Sequence, residues 1–195
     1  MRNKTTIGLQ ITQILSRLKP SIKCLDDTLL LESTDAIKQM IVSDTALLIT
    51  APTGTGKTLS IPFTILDNAL KERFVQNPKI WVSLPTIPAC HNALDNLHKI
   101  VKNRDLISSV VGQESGGFQE SRKQNVVKYM TDGRVVHKLF QSLERINKGN
   151  NKSDLPEFLV IDEAHMTIED KEMVLALALK IRHDQIEREQ IPLRL

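Results

Sequence analysis

The sequence predicts an α/β protein with a mostly parallel sheet that carries helices on both faces. Short runs of consecutive apolar residues alternate with longer segments in which apolar residues recur at helical spacing. The short runs lack the apolar–polar alternation of half-exposed strands, so they suit strands that are buried on both faces. Strands and helices that alternate along a chain are typical of parallel sheets, because each helix returns the chain to the starting edge.

Five apolar runs are predicted as strands, and the prolines Pro52 and Pro85 stop the first two. In chain order the runs are residues 46–50, 80–84, 107–111, 126–130 and 158–161. Helices are predicted between and after them, at residues 57–70, 89–101, 135–146 and 171–188. Polar stretches at residues 113–124 and 147–154 are predicted as loops.

Residues 1–45 are predicted to form a helical extension ahead of the sheet domain, which covers residues 46–195. Ile7, Ile11, Ile14 and Leu18 recur at helical spacing. Residues 33–40 are interpreted as a second helix. The apolar stripe of the first helix is interpreted as core packing rather than as a surface for a partner.

The composition is that of an ordinary globular protein. Of 195 residues, 41% are hydrophobic and 25% are charged, which is enough apolar material for a core. The net charge of +3 permits a nucleic-acid partner without indicating one, because the basic residues are spread along the chain. Cys24 and Cys90 fit no metal spacing and are interpreted as reduced thiols.

The sequence also argues against secretion and membrane insertion. No apolar run approaches the roughly 18–20 residues of a membrane-spanning helix. The first residues lack the apolar segment of a signal peptide. We therefore expect an intracellular protein, in the cytoplasm or nucleus of a cell or host, with no membrane partner.

A candidate phosphate-binding loop lies between the first predicted strand and its helix. Its residues are Ala51, Pro52, Thr53, Gly54, Thr55, Gly56, Lys57 and Thr58. Glycines let the backbone N–H groups curl around a triphosphate, and the helix N-terminus supplies positive potential. Lys57 would reach the β- and γ-phosphates, and the Thr58 hydroxyl would bind Mg²⁺. Ala51 stands where the general pattern has glycine, and a short Gly-Lys-Thr sequence also occurs by chance in loops that bind nothing.

A second candidate element follows the apolar run at residues 158–161. Asp162 and Glu163 come at the end of a strand, and strand carboxyl ends gather on the ligand side of a parallel sheet. An aspartate there can hold Mg²⁺, and the adjacent glutamate can deprotonate an attacking water. A charged strand end that caps the next helix would explain either residue alone. It does not explain both together with the phosphate loop.

These segments resemble the motifs of a known family. Residues 51–58 and Asp162-Glu163-Ala164-His165 are similar to motifs I and II of superfamily-2 helicases. Further similarity to the DEAH-box branch is carried by Ser60-Ile61-Pro62, Val111-Gly112 and Lys128-Tyr129-Met130-Thr131-Asp132-Gly133. The chain is thus identified as resembling the first RecA-like, ATP-binding domain of such a helicase, with a P-loop NTPase fold.

The resemblance also implies roles for individual residues. Lys57 and Glu163 would be catalytic, with Glu163 as the general base, while Thr58 and Asp162 would bind Mg²⁺. His165 would couple the nucleotide state to the nucleic acid and to a second domain. Contacts to the backbone of single-stranded nucleic acid, expected to be RNA, would come from Pro85, Thr86, Thr131, Asp132 and Gly133.

Some positions depart from the family pattern. Thr86 and Ile87 follow Pro85, where the family usually has paired arginines, and Met166-Thr167 stand where it often has Glu-Arg. These differences indicate a divergent member, and a viral or mobile-element type is one alternative. No adenine-reading glutamine motif is evident, so the enzyme would accept ATP or other NTPs.

Three functions are compatible with these features. The favoured one is the first domain of an NTP-dependent RNA helicase, which hydrolyses NTP when a second RecA-like domain completes it in cis or in trans. The alternatives are a catalytically weak, nucleotide-dependent module that binds RNA or protein, and a DNA translocase domain. We expect weak or no hydrolysis by these 195 residues alone, because the second domain would supply the arginines that stabilise the transition state.

Overall fold

The computed structural model describes residues 2–18, 27–43, 45–50, 56–71, 78–116, 118–120, 124–148, 154–166 and 168–195. Its helices are α1 (Arg2–Leu18), α2 (Asp27–Ser43), α3 (Lys57–Lys71), α4 (Ile87–Val101), α5 (Arg104–Val110), α6 (Asp132–Asn147) and α7 (Glu169–Glu187). Its strands are β1 (Ile80–Leu84), β2 (Val111–Ser115), β3 (Phe118–Glu120), β4 (Val127–Thr131) and β5 (Phe158–Ile161).

The five strands form one sheet in the order β3-β2-β4-β1-β5. β2, β4, β1 and β5 are parallel, and only β3 runs antiparallel to its neighbour β2. In the centre, Val82 pairs with Tyr129 on one side and with Val160 on the other. The predicted mostly parallel α/β sheet is therefore confirmed.

Successive strand residues pack against helices on opposite faces of the sheet. Ile80, Val82 and Leu84 belong to a core formed with helices of the N-terminal half, whereas Trp81 belongs to a core formed with α6 and α7. Side chains alternate between the two faces along a strand, so a strand covered on both faces needs apolar residues at nearly every position. This explains the continuous apolar runs and confirms the prediction of helices on both faces.

The N-terminal residues form the predicted helices and pack into the first of these cores. Ile11, Ile14 and Leu18 of α1 are fully buried, together with Ile37 of α2 and Phe63 of α3. The apolar stripe of α1 thus serves core packing, as its spacing indicated. In the part of the chain that the structure describes, no helix is long and apolar enough to cross a bilayer.

The prediction of a strand at residues 46–50 is wrong. These residues have no regular secondary structure, and the Leu47 N–H donates to the carbonyl of Leu195 at 3.0 Å. The C-terminal segment lies beside β5 instead, where Arg194 forms a parallel bridge with Phe158. An apolar run shows that a segment favours burial, but it does not reveal which segment pairs with a given sheet edge.

The prediction that residues 107–111 form a strand is wrong for residues 107–110. Residues 107–110 belong to α5, whose N-cap Asn103 accepts a hydrogen bond from the Leu106 N–H at 3.0 Å. The strand begins only at Val111 and extends into the stretch predicted as a loop, which also contains β3. Short apolar runs suit helix and strand alike, and here the asparagine cap favoured the helix. Of the second predicted loop, residues 149–153 lie outside the described residues.

Burial of Cys90 generates a prediction about its reactivity. Burial raises the pKa of this thiol to about 12 from 9.0, with a further contribution from the charge of Asp132. At pH 9 the folded thiol is therefore ionised about 500-fold less than the unfolded one. In a Cys24→Ser variant, we expect iodoacetamide to react at least 100-fold more slowly with the native protein than with the protein in urea. The unfolded thiol ionises first, so this group's contribution to the free energy of unfolding should fall between pH 9 and pH 12. Equal alkylation rates in the two states would contradict the prediction.

Candidate functional site

The site residues predicted from three distant segments lie together at the carboxyl ends of the parallel strands. β1, β4 and β5 are parallel, so their carboxyl ends lie side by side and lead into Pro85, Asp132 and Asp162. The Asp162 N–H donates to the carbonyl of Ser83 at 3.1 Å, which extends the pairing of β5 with β1 past the last strand residue. This edge is where ligands bind in open α/β sheets.

The N-terminus of α3 also belongs to this edge. Gly56 has φ 76°, in the left-handed region that favours glycine. Its carbonyl accepts hydrogen bonds from the N–H groups of Leu59 and Ser60, at 3.0 and 2.9 Å. Lys57 and Thr58 follow in the first turn and are both half-buried. The other predicted phosphate-loop residues, Ala51, Pro52, Thr53, Gly54 and Thr55, lie outside the described residues.

A hydrogen bond joins the two predicted nucleotide motifs. The Thr58 hydroxyl donates to Oδ2 of Asp162, which is 104 residues away in the sequence. The other carboxylate oxygen, Oδ1, accepts the N–H of Glu163 at 3.0 Å. The structure thus brings a hydroxyl and a carboxylate oxygen into contact at the start of α3.

The turn after β5 presents Glu163 and His165. Glu163 has φ 52°, an uncommon left-handed conformation for a residue other than glycine. Its carbonyl accepts the Met166 N–H at 2.9 Å, which closes the turn. The His165 Nε2 atom lies 3.4 Å from Oε2 of Glu163, and the His165 side chain is 76% exposed. Such a turn holds the Glu163 carboxylate where it can reach solvent.

Tyr129 stabilises the first turn of α3 by a hydrogen bond from its hydroxyl. Pro62 has no N–H and therefore cannot donate to the carbonyl of Thr58, its helical partner four residues earlier. The buried Tyr129 hydroxyl donates to that carbonyl instead, at 3.0 Å. Burial and the nearby charge of Asp162 raise the pKa of Tyr129, so the hydroxyl keeps its proton. Sequence reasoning quoted Tyr129 only as part of a motif and missed this role, although the proline was a signal that a donor was needed.

Asp132 lies inside the protein rather than on its surface. Its side chain is 1% exposed, and Oδ1 accepts a hydrogen bond from the Ser83 hydroxyl at 2.6 Å. The Lys171 Nζ atom lies 3.4 Å from Oδ2 and also donates to the main-chain carbonyl of Asp162. The Asp132 side chain is therefore occupied by contacts inside the protein, while the expected contact of this residue with nucleic acid stays a prediction. Ser83 and Lys171 were not predicted, because nothing in their spacing separates them from ordinary strand and helix residues.

The other predicted nucleic-acid contacts lie at the N-termini of α4 and α6. Thr86 is the exposed N-cap of α4, where its hydroxyl accepts the Ala89 N–H at 3.2 Å. Thr131 is the N-cap of α6 and makes no side-chain capping bond. Gly133 is exposed, and Pro85 is partly buried at the end of β1. Helix N-termini attract phosphate through their positive partial charge, although at α4 Pro88 has no N–H and the Ala89 N–H is already bonded to Thr86.

A cavity of about 640 Å³ opens beside the nucleotide motifs. Lys57, Thr58, Asp162 and Glu163 line its polar part. Its apolar part is lined by residues 46–49 and by side chains of α7, including Leu175 and Leu179. The volume lies within the range of small-molecule and cofactor sites in proteins.

Comparison with known proteins identifies the family. The model of the DEAD/DEAH box helicase family matches residues 33–191, which is most of the chain. The chain belongs to the DEAD/DEAH box helicase family. It corresponds to the first RecA-like domain of a superfamily-2 helicase, as its motifs indicated.

Relatives and solved structures agree with this assignment. The ATP-dependent RNA helicase MAK5 of Kluyveromyces lactis is 27% identical over 130 residues, which cover 62% of this chain and 16% of the relative. MAK5 of Lodderomyces elongisporus is 25% identical over 136 residues, covering 62% of this chain and 15% of the relative. The DEAH/RHA helicase HrpB of Escherichia coli superimposes with a TM-score of 0.60 over 83% of this chain and 19% of its own, at 18% identity, which shows a shared fold. The chain thus spans less than a fifth of the length of each of these three proteins.

The contact between Tyr129 and α3 can be tested by a double-mutant cycle. Tyr129→Phe removes the donor for the Thr58 carbonyl, and we expect the free energy of unfolding to fall by about 1–3 kcal/mol. Pro62→Ala supplies a backbone N–H for the same carbonyl, so Tyr129→Phe should cost clearly less in that background. Urea unfolding of the four proteins measures both values. An equal cost in the two backgrounds would show that the hydroxyl does not replace the missing N–H.

Proposed function

We propose that this chain binds Mg-NTP, with ATP as the principal nucleotide, and single-stranded RNA as the first domain of an NTP-dependent RNA helicase. Hydrolysis takes place when a second RecA-like domain completes the site in cis or in trans. The observation that carries this proposal is the hydrogen bond between Thr58 and Asp162, because it unites two motifs far apart in sequence at the ligand edge of the sheet.

The N-terminus of α3 provides the phosphate site. Exposed N–H groups in the first turn of a helix and the helix dipole attract anions. The left-handed backbone of Gly56 supports a tight entry into this helix, and Lys57 adds a full positive charge next to it. Ala51, Pro52, Thr53, Gly54 and Thr55 complete the proposed loop around the β- and γ-phosphates.

The oxygen atoms of Thr58 and Asp162 fit a magnesium ion. Mg²⁺ prefers hard oxygen ligands and is usually held by one or two carboxylates, water and substrate phosphates. Within the described residues, no group of three or more His, Cys, Asp or Glu side chains could hold a metal by itself. One hydroxyl and one carboxylate therefore match a metal that arrives with its nucleotide. When bound, Mg²⁺ would neutralise charge that develops on the β- and γ-phosphates.

Glu163 is the proposed general base. Its carboxylate is partly exposed and follows Asp162 directly in the chain, and in this role it would accept a proton from a water held beside the γ-phosphate. Lys57 stabilises negative charge on the γ-phosphate as the bond to the leaving group breaks. His165 lies beside Glu163 and faces solvent, where it can contact a second domain and couple that contact to the nucleotide site.

The N-termini of α4 and α6 provide the proposed RNA site. Thr86, Thr131 and Gly133 are accessible there, and Pro85 sets the turn before α4. Contacts from N–H groups and hydroxyls to phosphate do not depend on base identity, so binding should show little sequence preference. The resemblance to MAK5, an RNA helicase by name, favours RNA over DNA. Competition between single-stranded RNA and DNA of the same sequence tests this choice.

The nucleotide site is tested by the variant Lys57→Ala. We expect Mg-ATP to bind the unmodified chain and to bind the variant about 10- to 100-fold more weakly, because a charge-assisted contact to phosphate is lost. Calorimetric titration measures the two dissociation constants. Lys71→Ala is the matched control, since Lys71 ends the same helix and pairs with Asp67 on the surface. Equal affinity of the Lys57 variant and the unmodified chain would disprove the nucleotide site.

Hydrolysis is tested by phosphate release with and without single-stranded RNA. We expect very slow turnover when these 195 residues are assayed without a second RecA-like domain, because loss of a stabilising arginine costs about 10³–10⁵ in comparable NTPases. Glu163→Gln should abolish the residual activity and keep Mg-ATP binding. Glu187→Gln, at the exposed end of α7, is the control. Rapid RNA-stimulated turnover by the chain alone would refute the requirement for a second domain.

A further inference from the structure

Lys171 connects the two halves of the site in a way that the proposed roles do not explain. We propose that Lys171 is a positioning residue that couples the nucleotide site to the RNA-binding turn at residues 131–133. This inference rests on the proposed function, because it concerns communication between the two ligands of that function.

The Lys171 ammonium group lies between Asp162 of the nucleotide site and Asp132 of the turn at residues 131–133. Lys171 is in the first turn of α7 and is 3% exposed. Its Nζ atom donates to the carbonyl of Asp162 and lies 3.4 Å from Oδ2 of Asp132. A lysine is rarely buried to this extent unless its charge is paired, and here one acceptor belongs to each motif.

Each acceptor is tied directly to a proposed ligand site. The carboxylate of Asp162 receives the Thr58 hydroxyl, which is proposed to bind the metal of Mg-NTP. Asp132 begins α6, and its other carboxylate oxygen is fixed by the Ser83 hydroxyl at the end of β1. The chain of contacts therefore runs from Thr58 through Asp162 and Lys171 to the N-terminus of α6.

Nucleotide binding should disturb the first link of this chain. The Thr58 hydroxyl can offer a lone pair to Mg²⁺ and still donate to Asp162, so the disturbance would come from the carboxylate of Asp162, which would adjust to a metal charge placed beside it. The carbonyl of Asp162 belongs to the same short turn, so its position changes with that adjustment. Water cannot compensate, because the Lys171–Asp132 pair is almost fully buried.

The last link ends where RNA phosphates are proposed to bind. Asp132 and Gly133 provide the first N–H groups of α6, so a change in the Lys171–Asp132 pair alters the direction in which these groups point. α7 also approaches this turn through Asp170, whose Oδ2 atom would lie 3.0 Å from a side-chain carbon added at Gly133. Two neighbouring residues of α7, Asp170 and Lys171, thus lie against the turn. By linkage, RNA bound at the turn must affect nucleotide affinity to the same degree.

A purely structural role predicts something different. A buried ion pair that only holds α6 against α7 would change stability when it is removed, and it would leave the response of the turn to nucleotide unchanged. The test therefore measures that response. Amide hydrogen exchange, detected by mass spectrometry, is followed in peptides that cover residues 130–138, with and without Mg²⁺ and a non-hydrolysable ATP analogue.

Four proteins are compared by this measurement. In the unmodified chain we expect the nucleotide to slow exchange at residues 131–134 by about 5-fold or more, the lower end of typical coupling factors. Lys171→Met should lose this effect and retain nucleotide binding, whereas Lys171→Arg should keep much of it. Lys180→Met is the matched control, because Lys180 lies on the same helix, is more than half exposed and pairs with Asp184 away from the turn.

Lys171→Met leaves the buried carboxylate of Asp132 without its cation, which can prevent folding, so a second variant is needed. The double variant Lys171→Met/Asp132→Asn removes both charges, which is far less costly than removing one partner of a buried pair. Its circular dichroism and melting temperature establish that it is folded. It too should bind the nucleotide analogue and show no slowing of exchange at the turn.

The possible outcomes separate this inference from the proposed function. If Lys171→Met or the double variant binds nucleotide and still slows exchange as the unmodified chain does, Lys171 is not the coupling residue, and the proposed function stands. The same conclusion follows if the unmodified chain binds nucleotide without any slowing at the turn. If the unmodified chain binds no nucleotide, both proposals are overturned.

Discussion

The parallel alignment of β4, β1 and β5 is the constraint on which the site depends. Because these strands run in one direction and in register, their carboxyl ends bring Thr131, Leu84 and Ile161 to the same edge of the sheet. Everything proposed to bind a ligand follows one of those ends or begins the helix beside them. The pairing is held by backbone hydrogen bonds and by apolar packing on both faces, so a rigid core positions the turns that carry the chemistry.

Below the carboxyl ends of the strands, buried polar groups fix the turns that follow β4 and β5 relative to one another. The Tyr129 hydroxyl replaces the donor that Pro62 lacks, and Lys171 joins the carbonyl of Asp162 to the carboxylate of Asp132. Buried polar groups are stable only when they are paired, so each of these contacts restricts the position of its neighbours. The nucleotide motifs and the turn at residues 131–133 are therefore connected by paired buried groups.

Much of the fold could be predicted because burial leaves a clear pattern in the sequence. The runs at residues 80–84 and 158–161 became β1 and β5, and the periodic segments became α4, α6 and α7. The two errors arose where local sequence is ambiguous. Residues 46–50 form no regular strand, and residues 107–110 belong to a helix capped by Asn103. Edge pairing depends on which distant segment reaches the edge, and a run of five apolar residues cannot reveal that.

The sequence by itself determined which residues could bind a triphosphate and a metal, since Lys57, Thr58, Asp162 and Glu163 stand in patterns that their chemistry requires. It also indicated the helicase family from the order of its motifs. Only the tertiary structure decided that Thr58 contacts Asp162 and that Asp132 faces inward. It also placed Lys171 between the carbonyl of Asp162 and the carboxylate of Asp132. These facts depend on contacts between residues far apart in the chain, and such contacts follow from the packing of helices on the sheet rather than from local spacing.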